Sequence, residues 1–172
     1  MQNIQQANIA VIEQLITLLA QMTDTTYTQS LILLHQNTIG KHCRHIIEFY
    51  QALEKASTTG IVDYDARIRD LRLETDTTFT INELQRLQKW CVTLQNDTSF
   101  DLSVTYGKTT LVSTTLSREL VYLLEHNIHH LAIIGIAITA CFPHIQLPAD
   151  FGVAYSTAQY RATATTETVP TA

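Results

Sequence analysis

Cysteine is scarce: Cys43, Cys91 and Cys141 are far apart, odd in number and lack C-x-x-C spacing, which excludes thiolate zinc and dithiol redox motifs and reads as buried thiols in a reducing compartment. Basic residues are few and never form a run; eleven Lys and Arg face sixteen Asp and Glu, for a net charge of −5. No footprint for nucleic acid or an anionic membrane surface follows from that balance. No apolar run reaches the roughly 20 residues that cross a bilayer; the most apolar stretch, residues 131–142, falls short. The first twenty residues lack a positive segment and are interrupted by Gln, Asn and Glu, so no signal peptide is expected. A cytoplasmic protein without nucleic-acid or membrane partners is the resulting expectation.

With 172 residues and 45% hydrophobic content, the chain has enough apolar material for one domain with a real core. Apolar side chains recur at helical spacing over residues 4–22, 38–55, 80–95 and 119–141, predicting four helices. Residues 23–30 read as a loop and 31–34 as a short apolar patch. Gly60 ends the second helix, and seven charges of both signs crowd residues 63–74. Alternation over residues 100–106, a turn at Gly107-Lys108 and β-branched residues 109–115 predict a small hairpin before the last helix, which Ser117 would cap. An irregular arm follows from Pro143, leaving residues 1–155 as the folded unit and 156–172 as a flexible tail.

Histidines carry the chemical signal. His126 and His130 are four residues apart on an apolar helix, hence on one face and about 6 Å apart along its axis. Both rings reach a single ion from there, and burying two imidazoles without partners is costly. The second helix adds His42 and His45, both on or near the face that also carries Phe49 and Leu53. Either could supply a third ligand, with His42 replacing His45 or supporting it. His129 lies on a more polar edge near Glu125, and His35 and His144 fall outside the helices. Three imidazoles leave coordination positions open, as catalytic sites do, and suit Zn, Ni, Fe or Cu. Glu48, Glu119 and Tyr122 lie a turn or two from these histidines and are the acid/base candidates, against a plain reading as helix-end or surface residues. Arg67, Arg69 and Arg72 are candidates for an anionic substrate, against a solvated loop with internal ion pairs.

One histidine on the second helix and a His-x-x-x-His pair on the last resemble the DinB-like family of metal-binding four-helix bundles. Ile39-Gly40-x-His42-x-x-His45 and Glu125-His126-Asn127-Ile128-His129-His130 carry the resemblance; residues 60–70 and 147–154 look like marks of a bacterial subgroup. The resemblance implies a four-helix bundle with metal ligands His45, His126 and His130, and a divalent ion, Zn or Ni. It also implies thiol S-transferase chemistry, and together with the residues above gives the expectation of a hydrolase or thiol S-transferase acting on a small anionic or thiol-bearing molecule, with a second copy of the chain as partner in a homodimer. Where many members continue with Arg-Gly-Gln, this chain has Leu131-Ala132-Ile133. The competing reading is a non-catalytic bundle that binds a ligand or protein, its histidines structural.

Overall fold

The periodic segments fold as helices, and polar caps set their ends. Helix α1 (Gln2–Leu19) leads to the single turn α2 (Asp24–Tyr27), a 3-10 turn at Ile32–Leu34, and α3 (Ile39–Thr59). Strand β1 (Ile61–Asp63), the turn α4 (Arg72–Thr75) and α5 (Thr77–Thr93) follow. Strands β2 (Ser99–Tyr106) and β3 (Lys108–Thr115), α6 (Leu116–Cys141) and α7 (Tyr155–Thr166) complete the chain. The computed structural model describes residues 1–166. Thr38 caps α3 by accepting from the Lys41 N–H, and Gly60 ends it in the left-handed conformation at φ 74°, where a side chain would be strained. The expected cap Ser117 is displaced: Thr115 caps α6 instead, because the Ser117 N–H and hydroxyl both donate to Asp97, each at 2.7 Å.

The fold is mainly α with a three-stranded sheet in the order β1-β2-β3. The hairpin forms where alternation predicts it, turning at Gly107 with φ 81°. Strand β1 was not expected; it pairs in parallel with β2, Val62 opposite Leu102, across a separation that local periodicity does not reveal. The tail expected from residue 156 begins instead as α7, whose first turn is closed by Thr157 and Ala158 N–H groups donating to Ala154 O. Residues 167–172 of that expected tail lie outside the described residues. Cys43 and Cys91 are buried as expected, but Cys141 is exposed at the end of α6.

Helix α1 packs against α5 and α6, and α3 packs against the same two. By length and composition α6 could cross a bilayer, although its most apolar stretch alone is too short. In this fold Leu120, Leu123, Leu131, Ile134 and Ile138 of α6 are buried in the core. A chain of buried polar groups fixes its rotation: Asn127 Nδ2 donates to Tyr50 Oη (2.6 Å), which donates to Asn8 Oδ1 (2.7 Å). Asn8 Nδ2 donates in turn to Leu120 O at 3.1 Å. Each such group left unpaired would cost about 1–3 kcal/mol, so α1, α3 and α6 are held in one register. Asn127 adjoins His126, and the same register therefore sets where the histidines point. At Gly40 a Cβ would lie 2.2 Å from Glu74 O; only glycine lets the α4 backbone approach α3 this closely.

Candidate metal centre

His45 projects from α3, and His126 and His130 from α6, onto the shared face. Their candidate ligand atoms all lie within 4.8 Å of one another. His45 Nε2 and His126 Nε2 are 3.0 Å apart, and the ring centroids of the three are separated by 4.6 to 5.0 Å. Tetrahedral ligands at 2.0–2.1 Å from zinc stand about 3.4 Å apart, so small ring rotations bring the three nitrogens onto one ion. His42 is not a member of this trio. It pairs with His130, not His45: their Nδ1 atoms share a hydrogen bond at 3.0 Å.

Burial, with Arg67 and the neighbouring imidazoles adding to it, pushes His45 down to about 4. Burial and then His129 push His126 down to about 4, and burial followed by His126 and His45 pushes His130 down to about 3. All three are neutral at pH 7, with lone pairs available to a cation. One side of the cluster is dry. Phe49 stacks on His126 (4.4 Å, 11°) and on Tyr64 (4.7 Å, 11°), and Tyr122 lies 5.6 Å from His126. The other side opens into a cleft of about 320 Å³ lined by Asn37, Lys41, His42, Arg44, His45 and His130.

The acid/base candidates fall in different surroundings. Glu48, 2% exposed, lies 3.6 Å from both Arg44 and Arg67. Burial raises its carboxyl, and those two guanidiniums oppose the rise. It lines a separate cavity of about 290 Å³ that contains no histidine. Glu119 is fully buried and accepts from Tyr64 Oη (2.7 Å) and Thr114 Oγ1 (2.6 Å), with Arg118 at 3.2 Å. Both of its oxygens are engaged, so it pins β3 and the segment after β1 onto α6. Tyr122 is the candidate whose ring neighbours a candidate ligand, its phenol raised by burial and then by Glu119.

The arginine candidates also separate. Arg67 sits with its guanidinium 4.5 Å over the Phe49 ring, beside the centre. Arg69 is exposed, while Arg72 pairs with Asp70 at 2.6 Å and covers Phe79 at 4.3 Å. Neither lines the cleft on the histidines. Sequence reasoning missed Lys41, Arg44, Asn37 and Tyr64. Arg44 had a signal in its i,i+4 spacing to Glu48, whereas Tyr64 lies in an aperiodic charged segment. The arm docks on another flank: Gly152 packs on the Leu131–Ala132 backbone, its N–H donates to Gln14 Oε1 at 3.3 Å, and Phe151 contacts Gly135. It does not line the histidine cleft. Comparison of the chain with protein-family models, curated proteins and solved structures returns no match.

Proposed function

We propose that this chain is a metal-dependent enzyme of the DinB-like four-helix-bundle type. It holds a divalent ion, Zn or Ni, on His45, His126 and His130 and acts on a small anionic or thiol-bearing molecule as a hydrolase or thiol S-transferase. The observation that carries the reading is the convergence of three neutral imidazoles from two helices, with a cleft on one side. An ion so held supplies Lewis acidity that activates water or a thiol near neutral pH. The chain's own residues supply the setting: Phe49 and Tyr64 exclude water behind His126, and the Tyr122 ring, 5.6 Å from that of His126, extends the same aromatic wall. The protein works in the cytoplasm, as a monomer or homodimer, without nucleic acid or membrane.

A second reading, a non-catalytic ligand-binding bundle, draws on one observation: Glu48 and Glu119 are tied up in ion pairs and hydrogen bonds, so neither of these two carboxylates stands free as a base. Elemental analysis of unchelated protein decides the centre. One ion per chain in wild type and none in His130→Ala supports it, as does a melting temperature lowered by chelation in wild type alone. At a hundredfold excess over Kd the ion adds about 2.7 kcal/mol. Wild type without metal, melting identically with chelator, refutes it. Turnover of an ester, amide or thiol-transfer substrate that disappears in His126→Ala separates enzyme from binding module.

A further inference from the structure

The charges around the histidines do not balance once a cation is present. Arg44 contacts Glu74 at 2.8 Å and Glu48 at 3.6 Å, and Arg67 contacts Glu48 at 3.6 Å. Two guanidiniums therefore face two carboxylates, and that network is neutral as a whole. An imidazole binds a cation through a neutral nitrogen and, unlike a thiolate or carboxylate, brings no negative charge, so a divalent ion on these three would keep its full double charge. The cleft in front is lined by Lys41, Arg44, Asn37 and three histidines, with no carboxylate. Lys41 is exposed and in no ion pair among the described residues. A cation on neutral ligands, beside an ammonium that has no carboxylate partner, makes this cleft positive and favours an anion there.

We propose that this cleft is an anion subsite: a carboxylate or phosphate group of a small molecule enters the open side of the metal centre and is held by the Lys41 ammonium and the Asn37 amide. The proposal rests on the metal-binding reading above and places the substrate's charge at the start of α3, not on the 63–74 segment. Lysine provides a point charge with three donors, suited to an oxyanion that arrives in varied orientations. At about 320 Å³ the cleft is near the lower end of ligand-site volumes, which favours a molecule of few heavy atoms. The aromatic wall of Phe49, Tyr64 and Tyr122 closes the opposite side, so the anion approaches by this route.

The test uses full-length protein whose metal content has been measured first. Acetate and inorganic phosphate are titrated calorimetrically into zinc-loaded and metal-free wild type, Lys41→Gln, Lys41→Arg and, as a remote control, Lys108→Gln. Saturable one-to-one binding by the loaded protein is expected, weakened about tenfold in Lys41→Gln, as loss of a charge-assisted hydrogen bond implies. Lys41→Arg should restore most of it, and Lys108→Gln should match wild type. The tighter of the two probes identifies carboxylate or phosphate. Loaded wild type that binds neither probe, Lys41→Gln that binds as wild type, or equal binding with and without zinc overturns the subsite. A wild type that takes up no metal fails at the earlier step, and the two failures are thereby distinguished.

Discussion

Replacing His42 with alanine should weaken the metal centre without emptying it. The pair His42 Nδ1 and His130 Nδ1, 3.0 Å apart, needs one proton between two nitrogens. If His130 binds an ion through Nε2, its proton must sit on Nδ1, and His42 then accepts with its own proton on Nε2. His42 would thus hold both the tautomer and the ring angle of His130. Loss of such an outer partner costs about 10–100-fold in metal affinity. Because the acceptor is a neutral imidazole and neutral hydrogen bonds are about half as strong as charge-assisted ones, the lower half of that range applies, about ten- to thirtyfold. Competition against a chromophoric zinc chelator measures it, with His42→Ala compared to His42→Asn, whose amide oxygen can accept the same proton. The expected order of affinity is wild type, His42→Asn, His42→Ala, with His45→Ala far below all three. His42→Ala within twofold of wild type would refute the reasoning, and so would His45→Ala that binds as wild type, since His42 would then be the ligand.

Three further outcomes are expected. The folded His45 and His126 titrate at about 4 and His130 at about 3, below the roughly 6.5 of an unfolded imidazole; the unfolded chain therefore takes up protons first, and metal-free protein should lose stability as pH falls from about 6.5 towards 4, being most stable above that window. By the same shifts zinc affinity should be nearly constant from pH 7.5 to 5.5; three ordinary imidazoles would be about 90% protonated each at pH 5.5 and lose about a thousandfold, and a loss of that size in a chelator competition would overturn the burial argument. Gly152→Ala should lower the melting temperature by about 5–15 °C: its φ is 65° and its Cβ would meet Ala132 N at 2.4 Å, which together with partial exposure of Phe151 amounts to about 2–4 kcal/mol. Zinc stoichiometry should not change, because the arm does not line the cleft, and a melting temperature within two degrees of wild type would show that the arm is not docked.

The helices were legible because each buries a stripe: Ile12, Leu15 and Leu19 on α1 or Leu84, Leu87 and Cys91 on α5 recur at the helical period that sequence reveals directly. What sequence hid is tertiary. Strand β1 has three residues and a partner about forty positions away. Ser117 has the right chemistry for a cap, yet Asp97 captures it, and nothing local distinguishes Ser117 from Thr115. Gly40 was visible only as a letter in the histidine motif; its role depends on the α4 backbone lying against α3.

The same division runs through the site. His126 and His130 could be chosen from phase, because an i,i+4 pair on an inward face leaves little freedom once the helices face each other; phase left both His42 and His45 open on the second helix, and the family resemblance pointed to His45. Charged residues carry no such phase. Arg67, Arg69 and Arg72 were grouped by density in the sequence, but long side chains go where partners are: Arg67 over Phe49, Arg72 to Asp70, Arg69 into solvent. Glu119, a turn before Tyr122, looked like a base, and Tyr64 and Thr114, two residues from outside its helix, turn it into an anchor. The cleft on the histidine cluster is instead completed by Lys41 and Arg44, which share the helix of His42 and His45 and so inherit their position from it. Residues on the same helix as a candidate ligand, within a turn of it, are thus better guides to the rest of a site than residues that share only a chemical type.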